Sequence, residues 1–260
     1  MPTFDTPEPI AVALSLTAAD IRISAAQRTD TTVEVRPADP ADAADVAAAE
    51  RARVGYADGR LTVKDRSRIR YQRGRVAVTL ELPSGSALDA SVRDGHLRCQ
   101  GRLGEVRAHL SQGDIHLDHT GELRLSIGHG DITVATCGGP ADLTTTSGQI
   151  QVGESTDTTV ISNGAGNVTV NRAADGLRVT AEQGAVTVGE LASGRAELTV
   201  GTGTVAVGIA DGTTVVLDAK TTLGRVRDNL GDLTEATGGN TVELHAHISH
   251  GDILLNRVAK

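Results

Sequence analysis

Three segments of the chain set a glycine-aspartate pair beside a histidine: QGDIHL at Gln112 to Leu117, GHGDITV at Gly128 to Val134, and HGDILL at His250 to Leu255. Carboxylates and imidazoles are metal-binding groups, so Asp114, Asp131 and the nearby histidines are candidate ligands. Asp114 and Asp131 hold the same place in consecutive repeats, with His96 one repeat earlier. Two carboxylates about 5 Å apart repel unless a cation or a proton sits between them. A second candidate lies in HAHISH, where His245 and His247 project to one side of a strand. The histidines His109, His116, His119 and His129 also crowd two consecutive repeats. Against a metal stands a structural explanation. Gly-Asp and Gly-Asn are turn pairs whose side chains satisfy nearby backbone, and Gln149, Asn167, Ala185 and Thr204 continue the Asp114/Asp131 column. The structural explanation is preferred, and no catalytic, cofactor-binding or metal-ligating residue is assigned.

The elements that position these residues come from a repeat. Glycines at 95, 113, 130, 148, 166, 184, 203, 224 and 251 each open a five-residue motif such as GDITV or GNVTV. The first six intervals are 18, 17, 18, 18, 18 and 19 residues, and the last two widen to 21 and 27. A period sustained this long marks a solenoid. Two residues after the glycine stand Leu97, Ile115, Ile132, Ile150, Val168, Val186, Val205, Val226 and Ile253, an apolar column read as core. Four after it the column runs from Cys99 through Val207 to Leu255, with Asp228 as its one polar member. Alternation with polar neighbours means strands with one buried face. A second strand precedes each glycine, as in Val106, Ala108 and Leu110, then Leu123, Leu125 and Ile127. The expected fold is all-β: a right-handed parallel β-helix of about 18-residue coils stacked at the ~4.8 Å strand spacing.

Upstream the template is traceable at Ala19, Gly59 and Gly74 with irregular spacing. The Ala-rich run from Pro37 to Val54 carries Asp at its start and Arg toward its end, which predicts a short helix over about 40–54. Residues 1–94 are expected to form irregular capping coils with that helix, and 95–260 regular coils with longer loops after 208, as one continuous domain. In the last motif Leu254 stands where other coils carry a polar residue, so end-to-end assembly through a terminal coil is one expected route of self-association.

Composition narrows the function classes. With no Trp, one Phe and two Tyr, aliphatic residues must build the core, and stacking platforms for sugars are scarce. A net charge of -8 argues against nucleic acid as partner; the basic stretch from Lys64 to Arg75 is read as a solvated edge or loop. Cys99 and Cys137 lack paired spacing and are expected to be reduced thiols. The run from Ile10 to Ala19 follows Asp5 and Glu8 instead of a basic segment and alternates like a strand, so it is not read as a signal peptide. No stretch has the ~20 apolar residues of a membrane helix. A cytoplasmic location is expected, with no membrane and no nucleic acid as partner. No nucleophile elbow, P-loop or dinucleotide fingerprint is present, so no enzymatic activity and no cofactor are expected.

The opening MPTFDTPEPIAVALSLTAADIRI, the block TTVEVRPADPADAADVAAAERARVGYADGRLTVK and the recurrent GDI motifs resemble the bacterial β-strand-repeat family grouped under the name "putative adhesin", a domain of unknown function. The resemblance covers nearly the whole chain and implies a β-helix-like fold. The expected function is a non-enzymatic scaffold or protein-interaction module whose partner is protein, self or other. The alternative is a metal- or carbohydrate-binding protein using the outer Asp114/Asp131 face.

Overall fold

A computed structural model describes residues 2–65, 74–230 and 240–258. Among the described residues the structure is all-β apart from one helix, and the chain forms two compact units, residues 1–128 and 129–260.

The first unit opens with β1 (Thr3–Asp5), β2 (Ala11–Ala26) and β3 (Asp30–Pro37). Helix α1 (Ala43–Arg51) follows, within the span expected for it, with the Asp42 carboxylate accepting from the Ala44 N–H at 2.8 Å as its N-cap. Then come β4 (Ala52–Ala57), β5 (Arg60–Asp65), β6 (Val76–Pro83), β7 (Ala87–Arg102), β8 (Val106–Gln112), β9 (Ile115–Thr120) and β10 (Leu123–His129). The long strand β2 is enclosed: it runs parallel to β7 on one side and to β5 and β6 on the other. Beyond them β3 lies antiparallel to β6, β1 antiparallel to β3, and β4 antiparallel to β5. Helix α1 packs on β3 and β6, and Asp45 is buried there, taking the N–H groups of Asp39 and Arg75 at 2.9 and 2.7 Å. Phe4 stacks on Tyr56 with ring centroids 4.9 Å apart, joining β1 to β4.

The second unit continues with β11 (Ile132–Cys137), β12 (Ala141–Ser147), β13 (Ile150–Ser155), β14 (Thr159–Ala165), β15 (Val168–Ala173), β16 (Leu177–Gln183), β17 (Val186–Leu191), β18 (Gly194–Ala210), β19 (Thr214–Leu223), β20 (Val226–Asn229) and β21 (Thr241–Val258). Pairing is parallel and follows the sequence columns: Ile132 opposes Ile150, Ile150 opposes Val168, Val168 opposes Val186, and Val186 opposes Val205. These inward residues are buried, so the apolar face that alternation marks on β11, β13, β15 and β17 is core. Cys99 and Cys137 are both buried thiols, and Cys137 Sγ donates to the Gly139 carbonyl at 3.1 Å.

The widened spacing at the C-terminal end has a topological cause. Strand β21 inserts beside β18, and the earlier segment β19–β20 is displaced to its far side. Two sequence expectations are corrected by this order. Val226 is not core: among the described residues β20 has β21 on one side and no strand on the other, and Val226 is 39% exposed. Leu254 is not on a terminal coil: it lies between Ala206 of β18 and Arg227 of β20, half-buried and unavailable for end-to-end assembly. Residues 66–73, most of the basic stretch, lie outside the described residues, as do 231–239 of the segment expected as loop.

Candidate functional site

On the outward face of the first unit, three neighbouring parallel strands form a shallow groove of about 280 Å³, lined by Asp20, Arg22, His96, Arg98, Asp114 and His116. The pleat explains the lining. Leu97 and Ile115 oppose one another on the buried face, so the residues on either side of each point outward. Asp20 opposes His96, and Arg22 opposes Arg98, which in turn opposes His116.

The acidic members of the groove are engaged. Asp114 Oδ2 lies 3.3 Å from His96 Nδ1. Asp20 Oδ1 lies 3.0 Å from Arg75 Nη1, and the same guanidinium also holds Asp94. Burial works against the Arg75 charge, but Asp94 and Asp20 overcome it and raise its pKa. Arg22 and Arg98, by contrast, stand directly opposite each other with no ion pair among the described residues. Like charges placed this way on adjacent strands repel, so the groove presents two unspent guanidinium groups side by side.

Asp131 belongs to the second unit, where its Oδ1 accepts from the Gln149 N–H at 2.7 Å. This contact recurs one residue after the glycine: Asn167 Oδ1 takes the Ala185 N–H at 3.0 Å, and Asp252 Oδ1 takes the Arg225 N–H at 2.9 Å. An Asx side chain at this corner therefore ties its coil to the next by filling a backbone amide. The glycine before it is required by the stacking. Gly148 has φ +147°, and a Cβ there would meet the Gly130 carbonyl oxygen at 1.9 Å.

His245 Nε2 lies 2.9 Å from Glu243 Oε1, and its Nδ1 3.6 Å from Asp218 Oδ2. The His245 hydrogen bond, followed by the Arg195 charge, lowers the Glu243 pKa; Lys220, followed by His245, lowers that of Asp218. His247 stands between Thr199 and Lys220 on the neighbouring strands. The two histidines thus face different environments, one acidic and one beside an ammonium group. His109, His116 and His119 oppose Ser91, Arg98 and Arg102 respectively. Among the described residues no group of three or more His, Cys, Asp or Glu is placed to hold a metal ion.

The family model described as Toastrack DUF4097 matches residues 10–256. The chain belongs to the Toastrack DUF4097 family. No curated protein matches this Toastrack chain. Among solved structures it is similar to a "putative adhesin" from Parabacteroides merdae ATCC 43184, at 11% identity and TM-score 0.41, over 99% of this chain and 95% of that one. Another such adhesin, from Bacteroides fragilis NCTC 9343, gives 9% identity and TM-score 0.41 over 99% and 95%. A "Putative lipid binding protein" from Parabacteroides distasonis ATCC 8503 gives 11% identity and TM-score 0.32 over 99% and 96%.

Of the residues singled out in the Toastrack sequence, His96 and Asp114 do meet, and Asp131 bonds to backbone instead. Arg22 and Arg98 were not singled out. Their 76-residue separation hides a contact that only the β2–β7 pairing creates. The available signal was the weak repeat at Ala19, which places Arg22 in the same outward column as Arg98.

Proposed function

We propose that this Toastrack chain is a non-enzymatic interaction module, and that the outward face of its first unit binds an acidic segment of a protein partner. The observation that carries this reading is the Arg22–Arg98 pair, opposed across β2 and β7 while the acids beside it are engaged by Arg75 and His96. Arginine favours planar carboxylate recognition because its donors form a fixed fork. A carboxylate from a partner would also relieve the repulsion between the two guanidinium groups. We further infer a right-handed winding of the parallel coils, supported by the general handedness of parallel crossovers, with pairing steps of 18 or 19 residues. A cytoplasmic location belongs to the same reading, supported by two cysteines held as buried thiols.

Titration of a glutamate-rich peptide into the wild-type protein by calorimetry tests the reading. Saturable, salt-sensitive binding that is lost in Arg22→Gln/Arg98→Gln is the expected result. No binding, or equal binding by the double variant, overturns it. The alternative, a metal- or carbohydrate-binding face at Asp114 and Asp131, draws on the His96–Asp114 pair, but Asp131 already gives one carboxylate oxygen to the Gln149 amide.

A further inference from the structure

Among the described residues, the large apolar side chains that are exposed fall in one place. Val216 is 56% exposed, Leu223 62% and Val226 39%, all in β19 and β20. This segment is bonded to β21 on one side and to no strand on the other among the described residues. Its apolar groups replace polar ones. Leu223 opposes His250, which opposes Thr202, which opposes Gln183. Val216 opposes Glu243, which opposes Arg195. Two positions that carry polar residues in the covered coils are therefore apolar on the edge.

A ten-residue edge strand offers unpaired N–H and C=O groups to another chain. The sequence of β19, TVVLDAKTTL, is complementary to itself. Laid antiparallel about Ala219, Asp218 faces Lys220 of a second copy and Lys220 faces its Asp218. Val215 then faces Leu223, and Val216 faces Thr222. Shifting the centre by one residue opposes Lys220 to Lys220 or Asp218 to Asp218, and a parallel in-register pairing does both. The charges therefore select one arrangement.

We propose that β19 pairs antiparallel with β19 of a second copy of this chain, forming a two-fold symmetric dimer centred on Ala219. Such an interface is isologous and closes on itself. Among the described residues, the first unit is flanked by antiparallel strands of only three and six residues, β1 and β4, which give open head-to-tail growth no matching edge.

Sedimentation equilibrium tests the proposal. The wild-type protein is expected to show a concentration-dependent monomer–dimer equilibrium. Lys220→Asp or Asp218→Lys alone reverses two cross-strand charge pairs and weakens the dimer roughly tenfold or more. A one-to-one mixture of the two variants restores opposite charges across the interface and recovers wild-type affinity as a heterodimer. That recovery cannot come from the contact of Lys220 Nζ with Asp218 Oδ2 at 3.1 Å within each strand, since mixing leaves each strand unchanged. Leu223→Lys, shown folded by circular dichroism, is expected to weaken dimerisation as well. A wild-type protein that stays monomeric into the millimolar range, one that forms filaments, single variants that dimerise as well as wild type, or a mixture that recovers nothing each overturns the proposal.

Discussion

Replacing Gly148 by alanine tests how closely the coils approach. At this position φ is +147°, and the added Cβ would lie 1.9 Å from the Gly130 carbonyl oxygen and 2.6 Å from its carbon. A carbon needs about 3.3 Å from a carbonyl oxygen, so the corner must open by roughly 1.4 Å. It is held by hydrogen bonds on both sides, Gly130 N–H to Ser147 O and Gly148 N–H to Ala165 O, each 2.9 Å. Backbone strain in a glycine-only region costs about 1–3 kcal/mol, and forcing a methyl group into a filled space about 1–3 kcal/mol more. Gly148→Ala is therefore expected to cost about 2–6 kcal/mol in sum. Gly212→Ala is the control: φ is +74° and nothing lies within 4 Å of the new Cβ, so only the backbone term, about 1–2 kcal/mol, applies. Urea unfolding followed by far-ultraviolet circular dichroism measures both, the chain having no tryptophan to report by fluorescence. If Gly148→Ala costs no more than Gly212→Ala, the close approach of the coils is wrong.

Arg28 binds Asp30 at 3.0 Å and Glu81 at 2.6 Å, and its hydrogen bonds hold both carboxyl groups below their ordinary pKa. Carboxylates depressed in the folded state contribute stability above their unfolded pKa and lose it as the pH falls through the folded value, so acid should destabilise the wild type more steeply than Arg28→Met. A parallel slope in the two proteins, measured by urea midpoints against pH, would exclude the network as the cause. Asp131→Asn keeps the acceptor for the Gln149 amide and is expected to leave stability nearly unchanged, whereas Asp131→Ala should cost about 1 kcal/mol; a large loss in the asparagine variant would instead favour a charge-dependent role. Both thiols are buried, and burial pushes the Cys99 pKa upward, so a thiol reagent should label neither in the native protein and both after denaturation. In hydrogen exchange of protein dilute enough to be monomeric, the amides of β21, flanked on both sides, should be protected far longer than those of β19; equal protection there would contradict the strand order.

The strands were legible because their signal is local. Period-two alternation marks Val106, Ala108 and Leu110 as inward without knowledge of any partner, and all three are buried. The helix was legible from its alanines and charge placement, with Asp at the start and Arg toward the end; in the fold Asp42 also caps it. The order of the end strands was not, because every coil offers its neighbours nearly the same inward column. Leu97 could stack on Ile115, Ile21 or Val78 with equal chemistry, and in the fold Leu97 pairs with both Ile21 and Ile115. The groove inherits that ambiguity: Arg22 and Arg98 meet only once β2 has taken its place beside β7.

One residue does favour a particular order at the C-terminal end. Inward positions of β21 are Val242, Leu244, Ala246, Ile248, Ile253 and Leu255, all buried. The corresponding positions of β19 and β20 include Thr221 and Asp228, opposite Ile248 and Leu255. A carboxylate enclosed between two coils would lose its hydration without a counter-charge, at a cost of several kcal/mol. On the edge Asp228 stays exposed and accepts the Leu230 N–H at 2.9 Å. The alternative of stacking the segments in sequence order would bury Asp228 beneath β21. Pairing β18 with β21 instead stretches the sequence separation from 18 residues to 48 at Ala196 and Leu244, which adds only about 1 kcal/mol of loop-closure entropy. The two magnitudes differ enough to decide the order: an acid in a core column sends its coil to the end, and the last strand of the chain moves inward to replace it.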